Sequence, residues 1–108
     1  MTDFSEEIIK SVWQKAIVQA NNDPDIFRKD YAGAWIKRSE YGNRNSDYGW
    51  EIDHIKPIKK NGTDEIDNLC PLNWHNNVKK DEDFPLWKTS YSSQGTKNIE
   101  LEQEWQIG

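Results

Sequence analysis

Asp53 and His54 place a carboxylate next to an imidazole near the middle of the 108-residue chain. Downstream, the stretch "DNLCPLNWHNNVKK" supplies amide and ammonium groups at Asn68, Asn77 and Lys80. Carboxylate and amide oxygens are ligands that a hard divalent cation such as Mg²⁺ prefers, and an imidazole can take a proton from water near neutral pH. An Asp-His pair alone carries little weight. If the fold brings all these groups together, they suit hydrolysis of a phosphodiester bond.

The chain before His54 is typical of β-structure. Two aromatic and β-branched runs, residues 34–38 and 48–53, flank a Gly/Asn/Ser-rich stretch. This pattern predicts an antiparallel hairpin with a polar loop near residues 40–47. Alternation in the second strand puts Glu51 and Asp53 on one face. We expect Glu51 to be a solvated charge.

The chain after His54 predicts a loop and then a helix. Asn61 and Gly62 favour a turn, and Asn73 is a suitable N-cap for a helix that continues until Pro85 ends it. Asn77 shares a helix face with positions 73 and 80. His75 lies about 200° around the helix from Asn77 at about 100° per residue, which separates His75 from the site. The strand, loop and helix would form a ββα unit.

The flanks and the composition indicate one α+β domain. Apolar residues recur at helical spacing between residues 5 and 20, which predicts an amphipathic scaffold helix. Residues 86–108 predict a weak strand, a Ser/Gly turn and a polar terminal segment. The hydrophobic fraction is low at 34 %, so rings must supply much of the core. The expected core tryptophans are Trp35, Trp50 and Trp74, and the lone cysteine, Cys70, should be a small buried residue that forms no internal disulfide.

The motif "EIDHIKP…NG…D…IDNLCPLNWHNNVKK" resembles the HNH endonucleases of the His-Me finger, or ββα-metal, superfamily. The resemblance covers about residues 31–85. It implies a ββα-metal core that follows the N-terminal helix, with His54 as the general base and Asp53 and Asn77 as ligands of one Mg²⁺ or Mn²⁺. It also implies that Asn68 bonds across the loop to orient His54, and that Lys80 lies near a phosphate.

Two departures from the family pattern bear on this interpretation. Many HNH proteins carry paired CxxC zinc knuckles, whereas the corresponding places here hold residues such as Asn73 and Asn76. The scaffold must then be held by packing. Asn77 stands where many relatives have His, and its oxygen favours Mg²⁺ or Mn²⁺ over softer metals.

Charge is distributed unevenly along the chain. The formal net charge is −5, yet residues 28–60, which include the Asp-His pair, are net basic. The resemblance implies a DNA substrate, with RNA left open, and cationic side chains around the site can contact its phosphates. The candidate substrate-binding residues are Lys80, Lys56, Lys59, Lys60, Arg38 and Arg44.

The expected function is metal-dependent cleavage of DNA with low intrinsic sequence specificity. The sequence shows no appended DNA-reading module, so a protein partner would supply targeting. Two alternatives stay open: a toxin nuclease domain neutralised by an immunity partner, and an inactive HNH scaffold that binds nucleic acid. The sequence also shows no membrane-spanning run, and the acidic start differs from a signal peptide, so we expect a cytoplasmic location.

Overall fold

The computed structural model describes residues 3–107 and gives an α+β architecture. Its helices are α1 (Glu6–Trp13) and α2 (Trp74–Lys80). Its strands are β1 (Phe27–Lys29), β2 (Trp35–Lys37), β3 (Trp50–His54), β4 (Leu69–Asn73), β5 (Leu86–Gln94) and β6 (Lys97–Gln106). Within these residues the strands form three antiparallel pairs, β1 with β2, β3 with β4 and β5 with β6.

The predicted hairpin between residues 34–38 and 48–53 is wrong. In the structure β2 pairs back onto β1, and β3 pairs forward onto β4 with Trp50 opposite Asn73 and His54 opposite Leu69. The segment after β2 turns at once into a 3-10 helix, Arg38–Glu40, and so cannot extend a ladder. All five residues of β3 pair with β4. Helix α2 follows directly after β4 and contacts both strands.

The N-terminal helix is shorter than the predicted span of 5–20. Ser5 caps α1 by accepting a hydrogen bond from the backbone of Ile8 at 3.2 Å, and the helix ends at Trp13. The next segment forms a β-bridge instead, because Ile17 exchanges two backbone hydrogen bonds with Lys29 at 2.8 and 3.0 Å. The guanidinium of Arg28 also binds the carbonyl of Gln14 at 3.0 Å, which satisfies an acceptor that the helix end leaves free.

The hydrophobic core lies between α1 and the β3–β4 pair. Val12 and Trp13 of α1 pack against Trp50 and Leu69, and the rings of Trp13 and Trp50 are 5.3 Å apart. Trp35 and Trp50 are buried as expected, whereas Trp74 is half-buried. Trp13 and Trp87 are buried core residues that the sequence analysis did not select. Cys70 is half-buried rather than buried, and it is a free thiol.

The C-terminal region is a long hairpin: the predicted strand and Ser/Gly turn are confirmed, whereas the polar terminal segment is a second long strand. β6 pairs with β5 over most of its length, with Trp105 opposite Trp87. Tyr31 makes edge contacts with both rings, at 6.0 Å from Trp87 and 4.9 Å from Trp105. These ring contacts give an otherwise polar strand an apolar side to bury.

Helix α2 begins where the sequence predicts and ends early. Asn73 is confirmed as its N-cap, with the side chain accepting from the backbone of His75 at 3.0 Å. The helix ends at Lys80, before Pro85, because Asp81 adopts a positive φ of 52°. α2 packs against both β3–β4 and β5. In the part of the chain that the structure describes, no helix has the length and apolar character needed to cross a membrane.

Candidate active site

Side chains of β3 and α2 meet in two successive contacts, which we call the β3–α2 ladder. In the first, the amide nitrogen of Asn77 donates to Glu51 Oε1 at 2.8 Å. In the second, Lys80 Nζ lies 2.8 Å from Asp53 Oδ2. The spacing explains both contacts, because residues two apart on a strand share a face and residues three apart on a helix share a face. Both contacts therefore join one face of β3 to one face of α2.

Asp53 is a buried carboxylate whose hydrogen bonding is incomplete. It is 8 % exposed, and its Oδ2 accepts no hydrogen bond from the described residues. The ammonium of Lys80 forms an ion pair with Oδ2 at 2.8 Å. Burial raises the pKa of Asp53 to about 6, and the charge of Lys80 acts in the opposite direction. The carboxylate is thus held in a buried position, at a cost in solvation, with Lys80 as its counter-charge.

Lys80 does not lie where the sequence analysis expected a substrate contact. Its side chain is fully buried, and its ammonium also donates to the carbonyl of His54 at 3.1 Å. The ring of Trp87 lies 4.9 Å from the same ammonium. This expectation is corrected: α2 directs Lys80 inward, so the ammonium serves Asp53 and the end of β3 rather than a phosphate in solvent.

His54 ends β3 and points to the face opposite Asp53. Its ring lies 6.2 Å from that of Phe4, and Nε2 is 2.6 Å from Oδ1 of Asp64. The His54 side chain remains 19 % exposed. Asp53 and His54 both line a cavity of about 350 Å³, together with Lys59 and Asp81. Although they sit on alternate faces, the two residues therefore open onto one shared space at the end of the strand.

Asn68 closes the loop that follows His54. Its Oδ1 accepts from the backbone of Lys56 at 2.9 Å, and its amide nitrogen donates to the carbonyls of Lys56 and Thr63 at 2.9 and 2.8 Å. Asn68 thus bonds across the loop, and the contact with the His54 ring is made by Asp64. The sequence analysis missed Asp64. The sequence feature that could have identified Asp64 is its position directly after the Asn-Gly-Thr turn.

Glu51 is a structural partner of the ladder, so the expectation of a solvated charge is wrong. Arg44 binds it in a two-pronged ion pair, Nε to Oε2 at 2.7 Å and Nη2 to Oε1 at 2.8 Å. Although burial acts to raise it, hydrogen bonds from Arg44 and Asn77 hold the pKa of Glu51 below its ordinary value. The amide nitrogen of Asn77 is therefore committed to Glu51, which turns the amide oxygen away from that carboxylate.

The remaining candidate substrate-binding residues are spread around the site. Lys59 lines the cavity beside His54 and pairs with Glu82 at 3.3 Å. Lys60 donates to the carbonyl of Phe84 at 3.3 Å, and the side chain of Lys56 is exposed. Arg38 instead pairs with Glu6 of α1 at 2.6 Å. Three of the candidates thus follow directly after His54.

His75 lies in a different environment from the ladder. Its ring is stacked between Trp74 and Tyr91, with centroids 3.6 and 3.9 Å away. Its Nδ1 contacts Asn73 Oδ1 at 2.9 Å, and partial burial lowers its pKa. These contacts place His75 against β5, away from the Asn77 face of α2.

A buried polar cluster holds the start of α2; we call it the Asp30 hub, formed by Asp30, Asn73 and Asn76. Asp30 is fully buried, and its Oδ1 accepts from the backbones of Ala32 and Ala34 at 3.1 and 2.9 Å. Its Oδ2 accepts from the Asn73 backbone and the Asn76 side chain, both at 2.9 Å. Burial raises the pKa of Asp30 to about 6, and these four donors act against that rise.

The two asparagines connect the hub to the rest of the fold. Asn76 accepts from the backbones of Ser90 and Tyr91 at 3.0 and 2.8 Å, which ties α2 to β5. Asn73 donates to the carbonyls of Trp35 and Asp47 at 3.2 and 3.0 Å. The start of α2 is therefore held by a hydrogen-bonded network as well as by packing.

The residues of the ladder fit a hard divalent cation. Asp53 offers a buried carboxylate oxygen that is paired with Lys80, and Asn77 offers an amide oxygen at the neighbouring contact of the ladder. Mg²⁺ is commonly held by one or two such protein oxygens together with water and substrate phosphate. Among residues 3–107 no three His, Cys, Asp or Glu side chains are grouped to hold an ion. Any ion bound here would therefore rely on the amide oxygen as well as the carboxylate.

Comparison with known proteins agrees with this geometry. Residues 39–83 match the family model described as HNH endonuclease. The match includes β3, the loop, β4 and α2, and with them every residue of the ladder. No curated protein and no solved structure matched the chain. The segment that holds the ladder is thus similar to the HNH endonucleases, a family of nucleases.

Proposed function

We propose that this protein is a metal-dependent endonuclease that hydrolyses phosphodiester bonds in DNA. In this proposal His54 is the general base, and Asp53 and Asn77 hold one Mg²⁺ or Mn²⁺. The observation that carries it is the buried Asp53 carboxylate beside the His54 cavity, whose Oδ2 is paired with the Lys80 ammonium at 2.8 Å and has no further partner among the described residues. A buried oxygen of this kind is costly for stability, so a ligand that needs it is the simplest reason to keep it.

Each residue has a defined task in the reaction. His54 takes a proton from the attacking water, and Nδ1 is the ring nitrogen available for it because Nε2 contacts Asp64. Asn77 is held in place by Glu51, which is itself fixed by Arg44. The divalent ion, when bound, polarises the scissile phosphate and stabilises the leaving 3′ oxygen. The products carry 5′-phosphate and 3′-hydroxyl ends, as the resemblance implies.

Substrate contacts come mainly from the loop after His54. Lys56, Lys59 and Lys60 are exposed on this loop and provide cations beside the site. Phosphate contacts of this type position the duplex without reading its sequence. Low intrinsic sequence specificity follows, and the net charge of −5 predicts weak, salt-sensitive binding in the absence of a targeting partner.

The test is cleavage of supercoiled plasmid DNA by the purified protein. We expect nicking or linearisation with Mg²⁺ or Mn²⁺ and none with EDTA. His54→Ala should lower the rate by about 10²–10⁴-fold, the usual worth of a general base. His75→Ala is the matched control, since it removes the other imidazole of the chain and should leave the rate within about threefold. Full activity in His54→Ala would overturn the assignment of the base.

A further inference from the structure

Asp64 is the side chain that contacts the proposed base directly. Its Oδ1 lies 2.6 Å from Nε2 of His54, a hydrogen-bond contact slightly shorter than is usual between a ring N–H and a carboxylate. The two residues are ten positions apart, so the contact depends on the path of the loop between them. The carboxylate side chain is 64 % exposed, and the imidazole is the more buried partner.

The loop is built in a way that fixes where Asp64 sits. The Asn68 side chain bonds to Lys56 on one side and to Thr63, the residue before Asp64, on the other. Gly62 passes so close to the first part of the loop that a Cβ there would lie 1.7 Å from the carbonyl of Lys56. The backbone of Ile55 also donates to the carbonyl of Asn68 at 2.8 Å. Asp64 is thus presented to the ring by a closed and tightly bonded loop.

We infer that Asp64 is the positioning residue of the base: it accepts the N–H of His54 Nε2 and so leaves Nδ1 unprotonated and fixed in direction. This inference rests on the proposed function. A carboxylate in this position selects one neutral tautomer and limits rotation of the ring. It also explains the role of Asn68, which acts one step further away by holding the loop that carries Asp64.

The proton balance of the step is simple. Water loses a proton to Nδ1 as its oxygen bonds to phosphorus, and the bond from phosphorus to the 3′ oxygen breaks. The 3′ oxygen takes a proton from solvent. The imidazolium keeps its Nε2 hydrogen bond to Asp64, which stays a carboxylate throughout, and it releases the added proton to solvent before the next turnover. Asp64 therefore acts through His54 and touches neither the water nor the phosphate.

A purely structural ion pair makes a different prediction. Exposed ion pairs contribute little to stability, so a structural role would leave both ring and rate nearly unchanged when Asp64 is removed. A positioning role changes the state of the ring and the rate while the fold stays intact. The two roles are separated by measurements on His54 itself.

The first measurement is nitrogen NMR of the imidazoles in the neutral state, without metal or DNA. The chain contains two histidines, so the spectrum has two ring systems. In the unmodified protein we expect His54 as a single tautomer with the hydrogen on Nε2. In Asp64→Ala the two nitrogen shifts of His54 should move towards each other as both tautomers become populated. The shifts of His75 should stay in place.

The second measurement is single-turnover cleavage of plasmid at saturating Mg²⁺. We expect Asp64→Ala to lower the rate by about 10- to 100-fold, as is typical when the partner of an active-site imidazole is lost, with little change in KM for DNA. Asp67→Ala is the matched control, because it removes an exposed acidic residue of the same segment. It should leave the rate unchanged. Asp64→Asn keeps an acceptor oxygen and should recover part of the loss.

The outcomes separate this inference from the proposed function. Unchanged His54 shifts in Asp64→Ala would overturn the inference whether or not the protein cleaves DNA. Equal rate losses in Asp64→Ala and Asp67→Ala would overturn it too, because a general charge effect would then suffice. A single locked tautomer in a protein that cleaves nothing would support the pairing and overturn the nuclease function alone.

Discussion

Two buried carboxylates, Asp30 and Asp53, serve α2 in opposite ways. Burial raises the pKa of each to about 6. Asp30 meets four N–H donors, two on each oxygen. Asp53 Oδ2 is paired with the ammonium of Lys80 at 2.8 Å and has no other partner among the described residues. The two carboxylates differ in how many of the hydrogen bonds that water makes to an exposed carboxylate are replaced by hydrogen bonds from neighbouring residues.

This contrast indicates different roles for the two carboxylates: Asp30 stabilises the fold, and Asp53 serves the proposed reaction. A fully bonded polar cluster fixes the elements around it, and the Asp30 hub joins α2 to β5 and to the segment before β2. An incompletely bonded carboxylate contributes less to stability and retains affinity for a cation. The four predictions below test that division, beginning with the largest expected effect.

Neutralising each carboxylate should affect different properties. Asp53→Asn removes the charged ligand, and we expect the cleavage rate per folded molecule to fall by about 10³-fold, which corresponds to about 4 kcal/mol in the barrier. Asp30→Asn should leave that rate within about threefold and lower stability instead, because an amide N–H₂ would face N–H donors. Single-turnover cleavage and urea unfolding on both variants measure the difference. A large rate loss in Asp30→Asn would contradict the division.

Removing the ammonium partner should expose the cost of burying Asp53. We expect Lys80→Met to lower the free energy of unfolding in EDTA by about 3 kcal/mol, because the carboxylate is left buried without a counter-charge. Adding Mn²⁺ should restore part of that loss. The double variant with Asp53→Asn should be more stable than the sum of the single effects predicts. Additive effects in urea unfolding would show that the two groups are not coupled.

Two neighbouring asparagines of α2 give the closest comparison. We expect Asn76→Ala to cost about 2–3 kcal/mol of stability, because Asp30 and the β5 backbone lose buried hydrogen bonds. Asn77→Ala should cost less than about 1 kcal/mol and weaken Mn²⁺ binding, measured by calorimetry, more than His75→Ala does. If Asn77→Ala and His75→Ala weaken Mn²⁺ binding equally, Asn77 is not a ligand.

The raised pKa of Asp30 predicts a pH dependence of stability. Because the folded-state pKa of about 6 exceeds the ordinary value, the native protein binds more protons than the unfolded chain between these values. The contribution of this group to stability is therefore greatest at low pH and falls by about 2 kcal/mol from pH 4 to pH 6.

The pH effect is measured as the difference in unfolding free energy between the unmodified protein and Asp30→Asn across that range. A carbon NMR titration of the Asp30 carboxyl gives an independent check in the unmodified protein. A difference that grows as the pH rises from 4 to 6 would have the wrong sign and would refute the assignment.

The sequence predicts local features of this protein better than long-range ones. The N-cap at Asn73 and the shared face of Glu51 and Asp53 follow from rules that act over a few residues, and the structure agrees with them. The motif from Asp53 to Lys80 could also be recognised in the sequence, because its spacing is set by β3, one loop, β4 and α2. The family match over residues 39–83 covers this unit.

Strand partners and burial were not readable in the same way. The sequences of β2 and β3 are both typical of hairpin strands. Their actual partners, β1 and β4, are determined by the conformations of the connecting loops, which the strand pattern does not indicate. The inward direction of Lys80 depends on the space left by Trp87, which lies on a strand that the sequence hardly indicates. The contact of Asp64 with His54 likewise depends on the Asn68 bonds across the loop.

The composition of the Asp30 hub has a consequence for oxidative conditions. A zinc–thiolate knuckle loses its metal when its sulfurs are oxidised, and the segment it holds then opens. Carboxylate and amide groups offer peroxide no such target, and the chain's single thiol, Cys70, lies on β4 outside the hub. The start of α2 should accordingly stay folded in an oxidising environment that would dismantle a knuckle-based relative.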